Sequence, residues 1–305
     1  MRLILFVFFL FSSCFSRAQQ SIVILGTTQD AGSPQIGCTK KCCKHLFTKP
    51  DKTRQVVSLG FFDPTKKTSY LFEASPDINK QLRLLNGYSK SNTDLPNGIF
   101  LTHAHIGHYT GLMFLGKEAI NAKNQPVFAM PKMKAFLEQN GPWSQLVSQQ
   151  NIRLQELSNN QAIFLEDSVS VMPIIVPHRD EFSETVGFII KGHRKKLLFI
   201  PDIDKWEKWN QDINALISKV DYALIDATFF DATEINNRPL SEIPHPFVIE
   251  SMKRFKWMPQ EDKKKIYFIH FNHTNPLLNL KSEASKIVLG AGFNIARQGD
   301  VFKLD

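Results

Sequence analysis

Leu101-Thr102-His103-Ala104-His105-Ile106-Gly107-His108 is the stretch on which the reading of this chain turns. Residues 98–102 form an apolar run that predicts a strand. If the backbone stays extended beyond it, His103 and His105 point the same way, and His108 returns from the start of a following turn or helix. Neutral imidazoles are borderline ligands suited to Zn(II) or Fe(II), and three so close together are costly to bury unless they bind something. The competing reading is a surface histidine cluster without a role, and the rest of the chain weakens it.

Working outward, the same arrangement recurs. Residues 168–176 alternate in polarity and lead into Pro177-His178, and a strand over 185–190 follows. Residues 196–200 lead into Pro201-Asp202, 222–225 into Asp226, and 266–269 into His270. Upstream, 21–26 reads as a buried strand followed by a loop through Gly32-Ser33-Pro34. A second strand over 69–73 ends at Ala74-Ser75-Pro76-Asp77, which suits a helix start. Every polar candidate therefore follows an apolar strand, where an α/β scaffold presents functional side chains.

The chain has 305 residues, 43% hydrophobic and 22% charged, ample for a sizeable core. No internal repeat or long linker divides it, so one α/β domain over residues 19–305 is expected. Residues 1–18 read as a secretory signal: Arg2 near the start, an apolar run over 3–15, then Ser16-Arg17-Ala18 with small residues at the −3 and −1 positions. The run is short for a membrane span, so no stable span is expected after cleavage, and the protein is expected to be exported, periplasmic or secreted. A retained anchor is the alternative. A lipoprotein signal ending at Cys14 ranks last, because Phe11 is a poor residue three positions before it.

Cleavage lowers the net charge from +8 to +6 through loss of Arg2 and Arg17. The remaining basic residues are spread among surface stretches without interleaved aromatics, so no nucleic-acid partner is indicated, and nothing in the sequence sets an oligomeric state. The mature chain keeps Cys38, Cys42 and Cys43. An odd, clustered set in an exported protein favours metal binding over a disulfide framework.

The order of H-x-H-x-x-H, a later lone His, then an Asp and a His after strands resembles the metallo-β-lactamase superfamily. Gly32-Ser33-Pro34-Gln35, Ala74-Ser75-Pro76-Asp77 and the segment from Ile269 to Pro276 resemble, more closely, pyrroloquinoline quinone biosynthesis protein B. Asp226-Ala227-Thr228-Phe229 and Pro244-His245-Pro246 are also similar to segments of tRNA 3′-processing endonucleases and of the carbon–phosphorus-lyase phosphodiesterase. The resemblance implies an αββα four-layer sandwich with zinc at one edge, one or two ions, and iron as the alternative metal. It implies one site of His103, His105 and His178, a second of His108 and His270, and Asp202 bridging them. The implied mechanism is attack of a metal-bound hydroxide on a small-molecule ester or phosphodiester.

One departure stands out. The superfamily pattern is H-x-H-x-D-H, and Gly107 occupies the Asp position. Read as a plain loss, this weakens the second site or empties it, with Asp30 and Asp204 as the acids that could substitute. Asp202 is preferred to Asp204 as the ligand because it comes directly off a strand, and Asp204 reads as a helix N-cap before Trp206. By resemblance, His245 serves as proton donor or substrate contact and Asp226 orients a histidine; a loop histidine and a turn cap are the bland alternatives. By the same comparison Cys38, Cys42, Cys43 and His273 form a structural zinc site, although Lys40 stands where the relatives carry their middle Cys. The chain is thus expected to be a metal-dependent hydrolase. The alternatives are an iron-dependent oxidative enzyme like the quinone-biosynthesis relatives, and a degenerate metal-binding member.

Overall fold

The computed structural model describes residues 20–166, 169–235, 239 and 242–305. The signal reading of residues 1–18 and the lipoprotein alternative at Cys14 lie outside the described residues. No helix among the described residues is long and apolar enough to cross a membrane.

Two seven-stranded sheets carry the fold. The first is built from β1 (Ser21–Gly26), β2 (Ser58–Asp63), β3 (Thr68–Phe72), β4 (Gly98–Phe100), β5 (Gln125–Ala129) and β6 (Ile152–Glu156). The second holds β7 (Ile163–Glu166), β8 (Val169–Ile175), β9 (Val186–Lys191), β10 (Lys196–Ile200), β11 (Tyr222–Asp226), β12 (Ile266–Ile269) and β13 (Asn294–Ile295). The last strand, β14 (Val301–Lys303), returns to pair with β1. Each sheet starts with antiparallel neighbours and continues with parallel ones: β3, β4, β5 and β6 run together in the first, and β10, β11, β12 and β13 in the second.

Side-chain alternation turns these strands into four layers. Ile22, Ile24, Phe72, Phe100, Phe188, Phe199 and Leu224 meet in a core between the sheets. Their neighbours point the opposite way. Val23, Leu25, Ile99 and Leu101 pack beneath the helices Ile78–Ser89 and Pro131–Gln139, while Leu198, Ile200, Ile225 and Phe268 pack beneath Ile213–Ser218, Val248–Arg254 and Glu283–Gly290. Strands buried on both faces read as continuous apolar runs, which is why LLFI and ALI stand out in the sequence. The architecture is the expected αββα sandwich. Because parallel strands share a direction, the C-terminal ends of β3, β4, β10, β11 and β12 gather on one edge, and the candidate residues leave the chain there.

Candidate metal centre

Beyond β4, Val186 donates to the Thr102 carbonyl at 3.1 Å and Ala104 N–H donates to Ser183 Oγ at 2.8 Å, so the backbone stays extended through His105. His103 Nε2 and His105 Nδ1 come within 2.9 Å of each other. The short helix Ile106–Tyr109 then carries His108 inward. His178 follows β8, and its Nε2 lies 3.2 Å from Asp202 Oδ1; His103 Nε2 lies 3.4 Å from Asp202 Oδ2. One donor atom from each of His103, His105, His178 and Asp202 falls within 4.8 Å of the others.

A second group meets the first at Asp202. Asp30, His108 and His270 bring their donor atoms within the same 4.8 Å, and His108 Nε2 and His270 Nε2 lie 3.9 and 4.0 Å from Asp202 Oδ2. Asp30 Oδ1 lies 2.9 Å from His108 Nε2 and 3.8 Å from His270 Nε2. The loop after β1 is held there by the second sheet: Phe271 N–H donates to the Thr27 carbonyl and Gln29 N–H to the Phe271 carbonyl, both at 2.8 Å. His270 reaches the site from a left-handed backbone, φ 70°, and Glu73 at the end of β3 does the same at φ 75°. Such conformations cost roughly 1–3 kcal/mol and persist where the surrounding structure over-determines them.

The fit to a metal rests on atoms left without partners. His108 Nε2, His178 Nε2, His270 Nε2, Asp30 Oδ1 and Asp202 Oδ1 are buried without a well-directed hydrogen bond, an arrangement that is expensive unless a cation completes it. Three of the opposite ring nitrogens have a hydrogen-bonding partner, and His108 Nδ1 has the Glu73 carboxylate beside it without a well-directed bond. Thr102 Oγ1 is 2.9 Å from His103 Nδ1, Asp204 Oδ1 3.1 Å from His178 Nδ1, Glu73 Oε1 3.3 Å from His108 Nδ1, and Thr228 Oγ1 2.9 Å from His270 Nδ1. Outer partners of this kind fix ring orientation and tautomer in metal sites. Burial opposes charge on Asp202, yet His178 and His245 hold its carboxyl well below the usual carboxylate range. Burial likewise opposes charge on His108, and Glu73 and Asp30 overcome it and raise that imidazole well above its ordinary value.

His245 stands at the mouth of the site. Its Nδ1 lies 2.8 Å from Asp226 Oδ2 and 3.1 Å from Asp202 Oδ1. Against its burial, the charges of Asp226 and Asp202 raise its pKa well above 6.5. Asp226 also accepts from Thr228 and from Ile203 N–H, so it ties together the loops after β10 and β11. A cavity of about 450 Å³ opens beside His245, with Thr228, Phe229, Glu234, Asn272 and Thr274 in its wall and Lys40 and Arg179 at its edge. Glu234 accepts from Thr274 Oγ1 at 2.6 Å, and burial pushes its carboxyl up to about 7.

The cysteines converge separately. Cys38 Sγ and Cys42 Sγ are 4.0 Å apart, Cys42 Sγ and Cys43 Sγ 3.9 Å, and His273 Nδ1 lies 3.5 and 3.2 Å from Cys42 and Cys43. Zn–S bonds of about 2.3 Å at the tetrahedral angle put sulfurs roughly 3.8 Å apart, so the spacing suits a closed Cys₃His site. The helix Lys41–Lys44 presents the adjacent Cys42 and Cys43 to one point. Burial and the neighbouring thiols push the Cys42 pKa up to about 12.

One expectation needs correction. Asp204 is not a helix cap: Lys205 holds the N-cap position of Trp206–Lys208, with no side-chain cap, and Asp204 instead braces His178. At Gly107, the acid that stands against the glycine is Asp30, with Oδ1 2.9 Å from His108 Nε2. Sequence reasoning missed Glu73, Thr102, Thr228 and Glu234. Glu73 did carry a signal, an acid closing an apolar strand like Asp202 and Asp226, and Thr228 lies within the Asp226-Ala227-Thr228-Phe229 segment, whereas Thr102 and Glu234 had none.

Two sheets packed face to face between helices, with histidines and aspartates gathered at the shared strand ends, define a metallo-β-lactamase-fold protein. The chain belongs to that superfamily: the family described as Beta-lactamase superfamily domain matches residues 68–271. Coenzyme PQQ synthesis protein B of Methylorubrum extorquens (strain PA1) is 22% identical over 303 residues, covering 91% of this chain and 98% of that protein. The Zn(2+)-bound PqqB structure from Methylobacterium extorquens superposes with a TM-score of 0.76 at 22% identity, covering 93% of this chain and all of that one. A diphosphatase from the PhnP family gives 0.63 at 19% identity over 93% of this chain and 96% of its own.

Proposed function

We propose that this protein is a metal-dependent hydrolase of a phosphodiester or another ester. The observation that carries the reading is Asp202 standing between two donor groups, with Asp202 Oδ1, His178 Nε2, His108 Nε2 and His270 Nε2 buried and without a well-directed hydrogen bond. His103, His105 and His178 would hold one ion, His108 and His270 the other, with Asp202 shared. When bound, such ions supply Lewis-acid charge and lower the pKa of water. Asp202 would supply the negative charge that both ions need, and Thr102, Glu73, Asp204 and Thr228 keep the imidazoles turned inward. His245 serves as the general acid. Asp226 holds the proton on Nδ1, which would leave Nε2 to deliver the proton to the leaving oxygen. Lys40 and Arg179 at the cavity edge suit an anionic ester, and the Cys₃His group would hold a structural zinc.

The test is to purify the protein without added metal, count its metals, and assay bis(4-nitrophenyl) phosphate. Turnover should require the histidine-site metal and fall by about 10²–10⁴ in His245→Ala. A fully loaded protein that hydrolyses no ester overturns the reading. A second reading, a role like that of the PQQ-synthesis relatives, draws on their coverage of nearly the whole chain and on an imidazole-rich donor set that suits Fe(II) as well as Zn(II). Iron in the histidine site, together with no ester turnover, would select it.

A further inference from the structure

Asp30 and Gly107 belong to different parts of the chain, and the structure puts them into one volume. Gly107 sits in the helix Ile106–Tyr109 with ordinary helical backbone, so no left-handed conformation calls for glycine there. Space does. A Cβ at 107 would stand 2.5 Å from Asp30 Cα and closer still to Asp30 Oδ1. The loop after β1 therefore occupies the place where a side chain at 107 would go. Its carboxylate faces inward: Oδ1 is buried without a well-directed hydrogen bond, 2.9 Å from His108 Nε2 and 3.8 Å from His270 Nε2. The backbone pairing of Thr27 and Gln29 with Phe271 fixes this approach and ties Asp30 to the residue after His270.

We infer that Asp30 is the anionic ligand of the second metal site, and that Asp30 and Gly107 are a reciprocal exchange: the carboxylate has moved to the loop after β1, and residue 107 must be glycine to admit it. Residues 103–108 then encode an incomplete site, and Gln29-Asp30-Ala31-Gly32 completes it. The inference rests on the histidine cluster being a metal centre, as in the proposed function, but not on hydrolysis.

The test uses Zn(II) alone and reads binding without substrate. Zn(II) is titrated calorimetrically into the metal-free full-length protein, and stoichiometry is counted by elemental analysis. Asp30→Asn is isosteric and keeps the loop, so its fold serves as the control. It should weaken the second histidine-site equivalent on the order of 100-fold, since even losing an outer partner of a ligand costs about 10–100-fold, and should leave the first in place. Gly107→Asp alone should lower the melting temperature and weaken the second equivalent, because two side chains then contend for one space. Asp30→Gly/Gly107→Asp should bind that equivalent more tightly than Asp30→Gly. An Asp30→Asn protein that takes up the second equivalent as tightly as the parent overturns the ligand assignment. A Gly107→Asp protein as stable and as metal-loaded as the parent, or a double variant with no gain over Asp30→Gly, overturns the exchange. Neither outcome depends on ester turnover, so failure here is distinguishable from failure of the hydrolase reading.

Discussion

Asp204→Ala removes a carboxylate that touches His178 alone among the candidate ligands. Asp204 Oδ1 lies 3.1 Å from His178 Nδ1, and Oδ2 lies 2.7 Å from Lys208 Nζ. Burial raises the Asp204 pKa, but the hydrogen bonds to His178 and Lys208 prevail and hold it at about 2 against an ordinary 3.8. At about 1.36 kcal/mol for each unit, that fall is worth roughly 2 kcal/mol. Lys208 is 58% exposed, so water screens its share; after that discount about 1 kcal/mol remains at His178, roughly fivefold in an equilibrium constant. The contribution is fully present above pH 3.8 and is lost as pH falls through about 2, so it operates undiminished at neutral pH. Asp204→Asn keeps an acceptor for Nδ1 but drops the charge; it should lower the stability of the metal-free fold by about 1 kcal/mol at neutral pH and weaken Zn(II) less than Asp204→Ala does. Asp204→Ala also frees the ring and should cost about 10–100-fold. Competition against a chromophoric chelator measures both, with the cysteine-site metal as internal reference. If Asp204→Ala competes for Zn(II) as well as the parent, His178 is not a ligand oriented in this way and the first donor group must be redrawn.

Three further outcomes are expected. His105→Ala should strip the histidine-site metal while leaving the circular dichroism unchanged, because the core lies in strands elsewhere; retained stoichiometry would remove His105 from the ligand set. Cys43→Ser should lower the melting temperature by about 5 °C or more, since metal binding at a closed site is folding free energy, and should spare the histidine-site metal; an unchanged melting curve would argue against structural zinc. In the metal-free protein burial lowers the His178 pKa, but the charge of Asp202 and hydrogen bonds to Asp202 and Asp204 raise it to about 9. Its imidazolium stabilises the metal-free fold fully below about pH 6.5, and that stability is lost as pH rises through about 9. Proton and metal compete for Nε2, so Zn(II) affinity should climb between about pH 7 and 9. Calorimetry in two buffers of different ionisation enthalpy reads the released proton, and a flat affinity would contradict the assignment.

The order of residues along the chain was enough to determine the scaffold and the inward-facing histidines. Strands buried on both faces must be continuous apolar runs, and parallel strands must share one terminal edge, so His103, Asp202, Asp226 and His270 were legible as residues that leave those runs in place. Neither constraint reaches across loops. Asp30 lies beside Gly107 only because Thr27 and Gln29 pair with Phe271 from the other sheet, and Glu73 braces His108 only because β3 ends next to the helix after β4. Asp204 changed from an expected cap to a brace for His178 because the loops after β8 and β10 meet in space, Asp204 N–H donating to the Pro177 carbonyl at 2.7 Å. What fills the volume above a glycine, and which carboxylate faces the far side of an imidazole, are contacts between distant segments. Local spacing carries no record of them, and only the packing of the two sheets decided them.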